Sequence, residues 1–325
     1  MDTFIFAFSC IAPLILLVAL GYLLKKVKIL TDGFTAVANN LTYTILLPAM
    51  MFVNLYDIES LDSMDWKAVI FCVTATLVIF FLALAAVNIF VKDKEKRGVV
   101  WVSVFRGNTT VIGMPLALSL SGMLGATTLA SCLAFVIPLL TVLSVISLSF
   151  FRGGGAKITF WGIVKKVATH PFVIGSLLGI LALAFRQLFV VQGIIWRLSD
   201  AKIAFGFVNT LADIASPIAL IALGASFKFA SVKKMIAPLS LGVLLRLVFF
   251  PLLAVGGALI FNFSAPQLAA VIGIFASSSG VSNVPMAQQM GQDTELAGQI
   301  VVWTTLLSSF TIFLIVLILR ALGRL

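Results

Sequence analysis

Charge is what this chain has least of. Charged residues fill only 10% of its 325 positions, where a soluble domain would carry about a quarter. Acidic residues are the scarcer sign, with 12 Asp and Glu against 22 Lys and Arg. Histidine occurs once, at His170, and cysteine three times, at Cys10, Cys72 and Cys132. The cysteines are odd in number, lie in apolar runs and show no metal-ligand spacing, so they read as small buried hydrophobes. No Gly-rich loop of the Walker A type occurs, which excludes ATP as a direct energy source. No cofactor and no resident metal are expected.

Apolar residues stand in place of charge: 61% of the chain, at a mean hydropathy of +1.18. That excludes a soluble globule. A bilayer-spanning helix needs about 20 apolar residues. Hydropathy places ten of them, at 4–24, 36–55, 67–91, 98–121, 124–150, 170–189, 203–227, 236–261, 265–290 and 296–320. The expected fold is all-α and integral to the membrane, a single membrane domain with no soluble one. The first apolar run follows Asp2 rather than a basic residue and exceeds a signal-peptide core, so it reads as helix 1. The longest connector, 190–202, joins the two halves and suits an interfacial helix.

A formal net charge of +10 would suit nucleic acid, but the basic residues sit between apolar runs, where they set topology instead. The loops after helices 1, 3, 5 and 7 carry fourteen: Lys25, Lys26, Lys28, Lys92, Lys94, Lys96, Arg97, Arg152, Lys157, Lys165, Lys166, Lys228, Lys233 and Lys234. The other side carries six: Lys67, Arg186, Arg197, Lys202, Arg320 and Arg324. It also carries Asp57, Glu59, Asp62 and Asp65. The positive-inside rule puts the fourteen in the cytoplasm and both termini outside the inner (cytoplasmic) membrane. Arg106 and Arg246 are left inside predicted helices.

Four prolines repeat. Pro48 and Pro217 are 169 residues apart, and Pro115 and Pro285 are 170 apart. The chain reads as one five-helix unit written twice, 1–150 and 151–325, with helix 6 extending the first block to 189. Five is odd, so the second copy enters from the opposite side, the inverted-repeat plan of many transporters. Sliding by 170 sets Asn108 over Ser278, Thr109 over Ser279, Gly113 over Asn283 and Pro115 over Pro285. Proline removes a backbone donor and restricts the residue before it. Helices 4 and 9 are therefore expected to break and to cross at these prolines, exposing backbone to a small anion.

Charged and amide side chains near the breaks carry the chemistry. A buried Arg106 suits a carboxylate, or else snorkels or holds a structural ion pair. Asp213, one turn before Pro217, is read as an ion-coupling carboxylate or as the partner of Arg106 or Arg246. Asn40 and Asn209, matched at an offset of 169, are coupling ligands or interhelical hydrogen bonds. Gln288, with Gln289, Tyr43 and Thr44, lies within reach of the crossing. The coupling ion is H⁺ or Na⁺.

At NLTYTILLPAMMFVNL (40–55), FRGNTTVIGMPLALSLSG (105–122), ASPIALIALGASF (215–227) and NVPMAQQMG with VVWTTLLSSFTIF (283–313), the chain resembles the auxin efflux carrier family. The resemblance spans essentially the whole sequence. It implies ten helices in two inverted repeats, crossed helices 4 and 9, and a dimerising scaffold of helices 1, 2, 6 and 7. The other six helices would form a moving transport domain. It also implies organic-anion substrates. The short loop between helices 5 and 6 matches the compact bacterial members, whose substrates include dicarboxylates, rather than the plant auxin carriers. Three alternatives stand beside it. They are a sodium-coupled symporter of larger hydrophobic anions, a passive channel, and an intramembrane hydrolase pairing a serine of 277–279 with His170.

Overall fold

A computed structural model of the chain describes residues 2–56, 64–151, 160–192, 197–227, 232 and 234–325. All regular elements among the described residues are helical. Seven stretches among them are long and apolar enough to cross a membrane: Asp32–Tyr56, Trp66–Phe90, Thr109–Phe150, Pro171–Val190, Lys202–Ser226, Ile236–Ile260 and Thr294–Ala321. The protein is a multi-pass membrane protein.

The helices are α1 (Asp2–Lys26), α2 (Asp32–Leu41), α3 (Leu47–Tyr56), α4 (Trp66–Phe90), α5 (Lys94–Phe105), α6 (Met114–Phe150) and α7 (Phe160–Ala168). They continue with α8 (Pro171–Val191), α9 (Lys202–Ser226), α10 (Ile236–Leu244), α11 (Phe250–Ile260), α12 (Ala265–Phe275), α13 (Asn283–Gln289) and α14 (Thr294–Ala321). Polar caps start several of them. The side chains of Thr31, Asp65, Asp93 and Asp293 each accept a backbone N–H in the first turn that follows, filling donors that a helix start leaves open. At Ser121 and Gly122 the path of α6 turns, and Gly122 takes φ +62°, a left-handed conformation that suits glycine. The connector expected at 190–202 holds a short 3₁₀ turn, Leu198–Asp200. Its residues 193–196 lie outside the described set, as do Asp57, Glu59 and Asp62.

The prolines act differently from the sequence expectation. Three wide π turns occur, at Thr42–Leu46, Thr109–Gly113 and Leu245–Phe249. Each ends two residues before a proline: Pro48, Pro115 and Pro251. A wider turn relieves the clash of the proline ring with the carbonyl four residues earlier. Pro13, Pro138 and Pro217 lie within continuous helix. The two real interruptions fall elsewhere, at 106–108 between α5 and the π turn before α6, and at 276–282 between α12 and α13.

Packing brings these interruptions together. α12 lies along α6, α1 packs on α9 and α14, and α3 packs on α8 and α9. Hydroxyls inside the apolar helices return to their own backbone: Thr76 to Cys72 O, Thr141 to Ile137 O and Ser147 to Leu143 O. These three hydroxyls are thereby satisfied within their own helices.

Candidate functional site

The two interruptions lie side by side. Gly107 and Ser279 pair as an isolated antiparallel bridge. Asn108 N donates to Ser278 O at 2.8 Å, and Gly280 N donates to Arg106 O at 2.9 Å. Each break supplies the backbone partner that the other lost when its helix stopped, as irregular backbone at membrane depth requires. The two bonds exchange under a two-fold rotation, with Asn108 equivalent to Gly280 and Arg106 to Ser278. Both pairs are 172 residues apart, two more than the proline register. The extra length lies between crossing and proline: seven positions from Asn108 to Pro115, five from Gly280 to Pro285.

Helices α5 and α12 both aim their C-terminal carbonyls at this crossing, so partial negative charge gathers there. Arg246, from the π turn between α10 and α11, answers it. Nε donates to Ser277 O at 2.9 Å, and Nη1 to Val104 O at 3.2 Å and Phe105 O at 3.4 Å. Nη2 donates to Ile274 O and Ser277 Oγ, both at 3.0 Å. The side chain is 1% exposed. Gly107 makes room for it, since a Cβ there would lie 1.9 Å from Arg246 Nη2. Sequence reasoning gave Arg246 no role beyond that of an alternative partner for Asp213. A lone arginine in an apolar helix was the signal, but carbonyl partners up to 142 residues away carry no sequence pattern.

Arg106 ends α5 and is 5% exposed. Nε donates to Ser282 Oγ and Nη1 to Ser144 Oγ, both at 3.1 Å. The guanidinium carbon stands 5.7 Å from the Phe172 ring centroid, a cation–π distance. Among the described residues no carboxylate pairs with it. Arg106 borders a cavity of about 40 Å³ together with Asn108, Thr109, Thr110, Ser216 and Ser282. Asn108 is 8% exposed, and its Nδ2 has no hydrogen-bond partner. An unpaired buried cation and an unpaired buried donor thus share one space.

The other expected site residues are divided. Ser278 and Ser279 are buried but turn toward α14, where Thr305 Oγ1 donates to Ser278 Oγ at 3.2 Å and Ser279 N donates to Thr304 Oγ1 at 3.1 Å. Asn283 Nδ2 donates to Ser279 Oγ at 3.0 Å. Gly113 packs on Gly273 of α12, where a Cβ would meet the carbonyl oxygen at 2.5 Å. Pro115 is exposed and Pro285 buried. None of these six lines the cavity. Ser282 and Ser144 were missed, and the register of 172 sets Thr110 against Ser282.

Gln288 and the asparagines of α2 form a tie instead. Asn39 Nδ2 donates to Gln288 Oε1 at 2.6 Å, and Gln289 Nε2 donates to Asn40 Oδ1 at 3.0 Å. Thr44 is exposed and bonds Asn40 O within its own helix at 2.8 Å. Asn209 is half-buried on α9, and Asp213 is exposed. α9 turns Ala212, Ala215 and Ala219 inward, which leaves Asp213 on an outer face, so it is the partner of neither arginine. His170 Nε2 stands 2.9 Å from Tyr43 Oη, and its Nδ1 accepts from Phe172 N at 3.3 Å. Both ring nitrogens are occupied by groups other than serine, so no Ser–His pair forms.

A family model described as "Membrane transport protein" matches residues 6–316. The chain belongs to this family. It is the auxin efflux carrier family that the four motifs resemble. An "Uncharacterized transporter" of Methanothermobacter thermautotrophicus is 23% identical, over 92% of this chain and 93% of that protein. A protein of Rhizobium meliloti named "Putative malonate transporter" is 26% identical, over 93% of this chain and 92% of its own. Family and relatives are transporters, and this chain is a membrane transporter rather than an enzyme.

Proposed function

We propose that this family member is a secondary carrier of small organic anions, mono- or dicarboxylates, working by alternating access. The observation that carries the reading is Arg106, buried, held by two serine hydroxyls and unpaired with any carboxylate among the described residues. An uncompensated buried charge costs several kcal/mol. A substrate carboxylate would offset it, and the forked guanidinium fits that group. Asn108 Nδ2 adds a neutral donor beside it. The malonate named for one relative belongs to this substrate class.

A cavity of about 40 Å³ holds a water or two, too little for a small carboxylate, so transport requires a second arrangement. The two-fold bridge supports ten helices in two inverted repeats. So do two glycine-lined contacts: Gly21 and Gly224 where α1 meets α9, Gly175 and Gly179 where α3 meets α8. We read α1, α2 with α3, α8 and α9 as a frame that pairs with a second copy. Against it the remaining helices move as an elevator. Location in the inner membrane, both termini outside, and coupling to H⁺ or Na⁺ complete the reading.

Uptake of labelled malonate and butyrate into proteoliposomes tests it, with an imposed proton or Na⁺ gradient in separate arms. Wild-type protein should accumulate at least one of them, and Arg106→Gln should abolish accumulation. Undiminished uptake by Arg106→Gln would remove the crossing from the substrate path.

A further inference from the structure

The charge balance of the same cavity narrows the substrate class, resting on the reading just given. Among the described residues, Arg106 is the one charged residue in its lining. The other buried cations of the described residues are engaged elsewhere. Arg246 spends its donors on the carbonyls of α5 and α12. Arg186 donates to Tyr56 O at 2.7 Å and borders a separate cavity of about 260 Å³.

The donors of the lining are also gathered around Arg106 in sequence. Asn108, Thr109 and Thr110 follow it on the same broken segment, and Ser282 bonds to its Nε. The facing wall is of another kind. Leu47, Met50 and Met51 from α3, with Ile137 and Leu140 from α6, present methyl, methylene and thioether groups. Ser216 adds one hydroxyl, already directed at Met50 Sδ at 3.7 Å.

We propose that the site selects monoanions: one carboxylate held by Arg106 and Asn108, joined to an uncharged, largely apolar body that lies against Met50, Met51 and Leu140. One carboxylate balances one guanidinium. A second ionised carboxylate would enter the aliphatic wall with no cation and few donors to meet it, which disfavours binding of the dianion. A protonated or esterified second carboxyl removes that cost. Methionines on the apolar wall accept bodies of varied shape, because the thioether chain is unbranched and flexible. A dicarboxylate would accordingly be taken in its singly protonated form.

Three probes of similar size separate the alternatives: butyrate, malonate and monomethyl malonate, the last keeping the malonate frame with one charge removed. Binding is read by thermal shift of the purified full chain, titrated near neutral pH and again near the carboxylate range. Butyrate and monomethyl malonate should bind about tenfold or more tighter than malonate near neutral pH. Malonate should gain affinity on acidification as its second carboxyl takes up a proton, and the half-ester should gain little. Malonate binding as tightly as its half-ester near neutral pH overturns the monoanion proposal while leaving the anion reading intact. Equal shifts for all three probes in Arg106→Gln, or no shift for any of them in the wild type, overturn both.

Discussion

Two arginines of the same kind, each alone in an apolar helix, end in opposite circumstances. Arg246 makes five hydrogen bonds, four of them to carbonyls. Arg106 makes two, both to hydroxyls. Removing Arg246 strands buried carbonyls, at about 1–3 kcal/mol for each one left unpaired. Arg246→Met should therefore lower the melting temperature of the purified protein by many degrees, with or without ligand. Arg106→Gln removes an uncompensated charge, so the empty protein should melt no lower than wild type while the ligand-induced shift disappears. A large loss of stability in Arg106→Gln would make it a structural arginine like its neighbour. Asp213 belongs to neither category. Exposed on α9 and remote from both guanidinium partner sets, it should tolerate Asp213→Asn with unchanged anion affinity, measured by the same titration. Depth in the sequence of a helix was legible for all three residues. The side of the helix each one faces was not, because apolar residues surround all of them and hydropathy has no phase where every face is apolar.

At the scale of elements, the apolar runs were readable because spanning length is a physical constant of the bilayer. The expected 67–91 and 203–227 fall on α4, Trp66–Phe90, and α9, Lys202–Ser226. The broken segments were readable too, from their polar clusters beside proline. The place of each break was not. Proline restricts the helix locally and is absorbed by a π turn at Pro115. The break itself is held by partners from the other half of the chain, in Ser278 and Gly280. Two substitutions separate these causes. Pro115→Ala should leave the crossing in place and change the melting temperature little, since the bridge does not depend on the ring. Gly107→Ala should be severe, because its Cβ would lie 1.9 Å from Arg246 Nη2 and that guanidinium is fixed by carbonyls on both helices. A mild Gly107→Ala together with a severe Pro115→Ala would return the break to the proline.

For the whole molecule, the narrow cavity and the tie between α2 and α13 bear on the same motion. The site borders α3 and α9 on one side and the crossed segments on the other, so opening it means moving the crossing relative to α3 and α9. Helix α13 continues the crossed segment, and α2 continues into α3 through a π turn. On the proposed alternating-access motion, Asn39–Gln288 and Asn40–Gln289 would span the boundary between the frame and the moving helices. Hydrogen bonds between neutral amides contribute about 0.5–1.5 kcal/mol each, enough to bias one arrangement and weak enough to break in each cycle. Replacing the pair by Asn39→Cys and Gln288→Cys allows a short, reducible thiol crosslinker to make the tie permanent. The native Cys72 and Cys132 are both buried, and crosslinker treatment of wild-type protein controls for native thiols. Crosslinked protein in proteoliposomes should lose uptake while keeping its folded melting profile, and reduction should restore uptake. Full transport through an intact crosslink would mean that α2 and α13 move together, which would place the sliding boundary elsewhere in the bundle.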